Sequence, residues 1–106
     1  MNVPRIDRLR ALVTAQPGDA RARYFLANEL FRAEDFAGAA EHLRAYVELS
    51  GGDDGAAYRS LGLSLERLGR SEDAADAYRK GIESALAHGH DGLAGELRGL
   101  LEDLIG

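Results

Sequence analysis

Slid 35 residues along itself, the chain meets its own pattern again. Ala22, Leu26, Leu30, Arg32, Ala39, Ala40, Arg44 and Glu48 fall on identical residues at 57, 61, 65, 67, 74, 75, 79 and 83, eight identities over the thirty positions from 20 to 49. Ala27 with Gly62, Leu43 with Tyr78 and Val47 with Ile82 are conservative matches in the same register. A repeat of this length is a single supersecondary unit that cannot bury its apolar face alone, so neighbouring copies must stack. The chain has 106 residues, which suits one domain and leaves too little length for two cores.

Within each copy the apolar residues recur at helical spacing, and no stretch alternates with period two over strand length. The spacing predicts helices over about Pro4–Ala15, Ala20–Ala33, Phe36–Leu49, Ala56–Leu68, from Ser71 to about Ala87, and Gly92–Leu104. Pro4 suits an opening turn, where a missing N–H costs nothing. Asp19 and Ser71 are placed to cap the helices that follow them, and Asp53 and Asp54 to cap the fourth. The expected inward stripes are Ile6, Leu9, Leu12 and Val13; Leu26, Ala27, Leu30 and Ala33; Ala39, Ala40, Leu43, Tyr46 and Val47; Tyr58, Leu61, Gly62, Leu65 and Leu68; Ala74, Ala75, Tyr78 and Ile82; and Leu93, Leu97, Leu100, Leu101 and Leu104. Ala, Leu, Glu and Arg dominate the composition, and all four are good helix formers. The expected fold is therefore all-α, an α-solenoid of about six helices in stacked hairpins.

Composition narrows function by exclusion. There is no cysteine, which removes disulfides, thiolate metal sites and thiol catalysis. No apolar run is long enough to cross a bilayer, and the N-terminus lacks a basic region followed by an apolar block, so a cytoplasmic location is expected. The net charge of −5 argues against nonspecific nucleic-acid binding, which depends on neutralising phosphates. That charge is uneven: residues 1–32 sum to +3 and residues 33–106 to −8. An Arg-bearing first third suits a partner with an acidic segment, although a solvated helix surface reads the same way.

The second copy reads Tyr58-x2-Leu61-Gly62-x2-Leu65 and then Ala74-x3-Tyr78; the first reads Arg23-x2-Leu26-Ala27-x2-Leu30 and then Ala39-x3-Leu43. In these residues the chain resembles the tetratricopeptide repeat family, whose pattern sets small residues where paired helices approach and large ones in the grooves between them. The resemblance implies a right-handed solenoid as a single domain over 1–106. Its parts are an N-terminal half-repeat helix at 4–16, a first repeat at 20–53, a second at 55–88 and a capping helix at 91–105. Arg23 departs from the pattern, standing where an aromatic is usual, with Tyr24 or Phe25 as candidates to supply the bulk. Gly51 stands in the usual place of Pro.

In this family the first helix of each hairpin lines a concave groove that takes extended peptides or helices. Carried onto this chain, the resemblance implies Arg21, Tyr24, Asn28, Phe31 and Arg32 on one groove helix and Arg59, Leu63, Glu66 and Arg67 on the next. Some members clamp a terminal carboxylate with Lys-x3-Asn; Asn28 matches that pattern, but Tyr24 occupies the Lys place. The expected partner is a protein or peptide, with no cofactor, nucleic acid or membrane involved. The alternative is a structural module whose terminal helices, through the leucines of the last one, form a weak homodimer in place of a monomer. His88-x-His90-Asp91 lacks the i, i+4 spacing of helical metal ligands and reads as a turn. No phosphate loop or nucleophile elbow is present, and carboxylate pairs such as Glu72-Asp73 sit at helix ends, so no enzyme activity is expected.

Overall fold

The structure is a computed structural model that describes residues 3–52 and 55–106, with the side chain of Val3 left aside. Among the described residues there are six helices and no strand: α1 (Val3–Ala15), α2 (Ala20–Arg32), α3 (Phe36–Ser50), α4 (Ala56–Arg67), α5 (Ser71–Ala87) and α6 (Asp91–Ile105). Each helix packs chiefly on its sequence neighbours, α1 on α2, α2 on α3 and so on to α5 on α6. The even-numbered helices thus form one layer and the odd-numbered ones a second. The molecule measures 39 × 27 × 19 Å, and its smallest dimension matches two layers of helices about 8–10 Å apart. This is a helical repeat solenoid.

The core is a continuous strip of leucine and alanine. Leu26, Ala27, Leu30, Ala39, Leu43, Ala57, Leu61, Leu65, Ala74, Tyr78 and Leu97 are all buried in it. Each fully buried leucine contributes about 1.5–3 kcal/mol relative to exposure, so this strip supplies most of the favourable free energy. The small residues at 27, 39, 62 and 74 are all buried, as the repeat requires. A Cβ added at Gly62 would lie 2.2 Å from a ring carbon of Tyr78, so the α4–α5 crossing depends on the missing methyl.

Several expectations are corrected at the edges. Leu12 is 52% exposed, because α1 has only α2 beside it and the covered strip is Ile6, Leu9 and Val13. Leu68 is exposed because α4 ends at Arg67, which places it in the turn, past the helix's buried stripe. Ser71 is the first residue of α5 and not its cap; Arg70 holds the cap position without a side-chain bond, and Arg70 instead pairs with Asp73 at 2.7 Å. The capping roles expected of Asp53 and Asp54 lie outside the described residues. The cap of α4 is Gly55, at φ 112°, where a Cβ would meet the Gly81 carbonyl oxygen at 2.9 Å. Asp19 does cap α2, accepting from the Ala22 N–H at 3.1 Å, and Asp35 caps α3 through the Gly38 N–H at 3.0 Å.

The turns inside the two hairpins share one geometry. The residue that closes each turn is left-handed, Glu34 at φ 62° in the first and Gly69 at φ 75° in the second. These positions are 35 residues apart, so the repeat dictates the conformation and only the second copy uses the residue that adopts it without cost.

Candidate functional site

The residues of α2, α4 and α6 that point away from the odd-numbered layer form one free face. On α2 the buried stripe is Ala22, Leu26, Ala27 and Leu30, so helical periodicity sends Arg21, Asn28 and Arg32 to the opposite side. On α4 the buried stripe of Ala57, Leu61, Gly62, Ser64 and Leu65 leaves Arg59, Leu63 and Arg67 opposite. On α6, Ala94 and Leu97 are buried, and Gly92, Gly95 and Gly99 lie opposite with nothing within 4 Å of where a Cβ would stand.

The structure treats the nine sequence-derived candidates differently. Arg21 is exposed and makes no ion pair among the described residues. Asn28 is half-buried, and its side chain makes no hydrogen bond among the described residues. Tyr24 is half-buried, with its ring 4.6 Å from that of Tyr46 on α3. It is therefore Tyr24 that supplies the bulk missing at Arg23, while Phe25 is 47% exposed. Arg32 pairs with Glu29 at 3.1 Å, and Glu29 also accepts from Arg5 at 2.8 Å. Arg59 donates to Glu96 at 2.6 Å, tying α4 to α6 across the face. Glu66 faces inward enough to accept a hydrogen bond from the Tyr78 hydroxyl, which makes it a partner of the core. Burial, and then the Glu66 carboxylate, push the Tyr78 hydroxyl well above its ordinary value of 10.

The remaining candidates converge. Phe31, Arg32, Leu63 and Arg67 line a cleft of about 370 Å³ together with Glu34 and Phe36. The rings of Phe31 and Phe36 meet edge to face at 5.6 Å, and the Arg67 guanidinium sits 5.0 Å from the centre of the Phe36 ring. Arg67 also lies 3.8 Å from the Glu34 carboxylate. From the spacing alone, Phe36 opens a helix and Glu34 falls between two helices. The signal that could have found them is in the repeat itself: their counterparts are Ser71 and Gly69, so both are bulky where the second copy is small. The glycine wall of α6 was also missed, although its i, i+3, i+7 spacing opposite the leucine stripe was legible.

Behind the face, Arg23 donates to the Pro17 carbonyl at 3.2 Å, and its guanidinium lies 3.2 Å from Nδ1 of His42. That contact requires the imidazole to accept, so Nδ1 carries no proton there. Burial pushes the His42 imidazole below its ordinary 6.5, with Arg23 acting in the same direction and the Glu41 carboxylate opposing both. His88 and His90 have ring centres 6.3 Å apart, and Nδ1 of His88 is 2.8 Å from the Ser84 carbonyl oxygen. Among the described residues, no group of three or more metal-ligating side chains is assembled, and no helix is long and apolar enough to cross a membrane.

The tetratricopeptide repeat family model matches residues 6–54 and, in a second overlapping placement, residues 26–87. The chain belongs to the tetratricopeptide repeat family. The two placements run from α1 through α5, so the family assignment covers both hairpins and the helix before them. Tetratricopeptide repeats generally mediate protein–protein interaction or scaffolding. A comparison with curated proteins finds no match.

Proposed function

We propose that the chain is a non-catalytic adaptor, working in the cytoplasm, that holds a polypeptide partner in a groove formed by the free face of α2, α4 and α6. The observation that supports this reading is the composition of that face. Half-buried Tyr24, Phe31 and Leu63 stand among exposed or half-exposed Arg21, Arg32, Arg59 and Arg67. Half-covered apolar side chains gain free energy when a partner completes their burial, at about 25 cal/mol per Å². Arginine grips carboxylates through two parallel hydrogen bonds, so the partner carries acidic residues. Asn28 can pair with a peptide backbone, and the side-chain-free wall at Gly92, Gly95 and Gly99 lets that backbone come close to α6.

Affinity capture from cell extract tests this with Arg21→Glu/Asn28→Ala, two residues that make no described side-chain bond and so leave the fold intact. Partners bound by the free face are recovered with the native chain and lost with the variant. Equal recovery of every captured protein ends the groove reading.

A second reading has its own observation. Ile105 at the end of α6 is 63% exposed beside half-buried Leu104, an apolar end suited to a second copy. Sedimentation over graded concentrations decides it: a monomer at about tens of micromolar removes self-association as the main role.

A further inference from the structure

The cleft beside the first hairpin turn is not a by-product of the repeat. Its builders Phe31, Glu34 and Phe36 correspond, 35 residues later, to Glu66, Gly69 and Ser71, and the second hairpin has no aromatic pair at its turn. The first copy also holds Glu34 in a left-handed conformation at φ 62°, where its counterpart is glycine. That strained backbone carries a carboxylate to the rim, 3.8 Å from Arg67. A guanidinium lying over the Phe36 ring has its orientation set by the ring before any partner arrives. The separation from Glu34 is longer than a hydrogen bond, so the N–H edge of Arg67 is not saturated by it. Arg32, on the other side, is exposed and shares Glu29 with Arg5, so that corner carries a net positive charge.

From this geometry we infer that the cleft receives one apolar side chain of an acidic polypeptide partner, with carboxylates on either side of it held by Arg67 and Arg32. The floor is apolar on three sides, from Phe31, Phe36 and Leu63, and the volume of about 370 Å³ admits a leucine or phenylalanine side chain. Glu34 occupies the place of the partner's carboxylate while the cleft is empty and yields it on binding. This inference rests on the adaptor reading and names the chemistry that one end of the face selects.

The test uses the full chain, labelled with nitrogen-15, and three short synthetic peptides followed by amide chemical shifts. The first peptide has one leucine flanked by aspartate and glutamate; the second replaces the acidic residues by asparagine and glutamine; the third replaces the leucine by serine. The first is expected to move the amide signals of Phe36, Leu63 and Arg67, and each of the other two to bind at least about tenfold more weakly, through the loss of both charge-assisted contacts or of the one buried side chain. Arg67→Met keeps the side-chain stem over Phe36 and should weaken the preference for the acidic peptide over its neutral copy, leaving only the part that Arg32 supplies. Glu34→Gln should bind the acidic peptide more tightly than the native chain.

Equal binding of the acidic and neutral peptides overturns the inference, as does an Arg67→Met chain whose preference for the acidic one is undiminished. Shifts confined to Arg21, Asn28 and Gly95 overturn it too, but leave the adaptor reading standing. No shift with any peptide overturns the cleft assignment, and the capture experiment then decides the adaptor reading separately.

Discussion

The two hairpins solve one packing problem in opposite ways. In the second, Gly62 gives up its side chain and Tyr78 fills the space, with its ring fully buried and its hydroxyl reaching Glu66. In the first, the same positions carry Ala27 and Leu43, both fully buried. The aromatic residues of the first hairpin sit at the margin instead, as the half-buried pairs Tyr24–Tyr46 and Phe31–Phe36. The second hairpin therefore spends Tyr78 on the core and keeps only Tyr58 half-buried, whereas the first leaves all its rings at least partly uncovered. One backbone thus buries an aromatic ring at the helix crossing in one copy and leaves its rings half-covered at the margin in the other.

The sharpest way to break that contrast is at the crossing. Gly62→Ala puts a methyl against the Tyr78 ring and should destabilise the fold by about 1–3 kcal/mol, even after the gain in helix propensity. Chemical denaturation measures this. The double variant Gly62→Ala/Tyr78→Leu copies the first hairpin's solution and should recover most of the loss; additive losses would show that the two positions do not share a cavity.

Tyr78→Phe removes a hydrogen bond to a carboxylate and should cost roughly 1–2 kcal/mol. Because the folded hydroxyl ionises well above 10, the unfolded chain loses that proton first. The contribution is complete below pH 10 and declines as pH rises above it. Denaturation at pH 8 and above pH 10 should show a drop in the native chain that the phenylalanine variant lacks from this source.

At the first hairpin turn, Glu34→Gly gives the left-handed position the residue that the second copy already uses. It should stabilise by up to about 1 kcal/mol, since relief of backbone strain is partly offset by a freer unfolded chain. A melting temperature unchanged or lowered would show that the Arg67 contact outweighs the strain.

The smallest effect belongs to His42. Its folded pKa is depressed, so the unfolded chain takes up the proton first as pH falls below 6.5. Stability is complete above that value and falls as pH drops toward the lower folded pKa. His42→Gln should flatten this part of the profile between pH 7 and 5, and an identical slope in both chains would assign the dependence to other groups.

How much of this was legible beforehand depends on distance along the chain. The helix limits agree with the periodicity to within a residue or two, because hydrogen bonds between near neighbours and an apolar stripe set them. The small residues at 27, 39, 62 and 74 were found by matching the copies, since a repeat reports on its own packing. Leu12 and Leu68 were misplaced because periodicity names a face without saying whether anything covers it. Glu66 was read as a surface residue because nothing local connects it to Tyr78, twelve residues later and on another helix.

The sequence by itself determined the class of fold, the pairing of helices into hairpins and the family, because these follow from spacing along single helices and from its repetition. Only the tertiary structure decided that Phe31, Phe36, Leu63 and Arg67 share one cleft and that Arg59 is bound to Glu96. Those facts depend on how far one helix turns about its axis against the next. That angle is fixed by the fit of many side chains together, and no short stretch of the chain contains it.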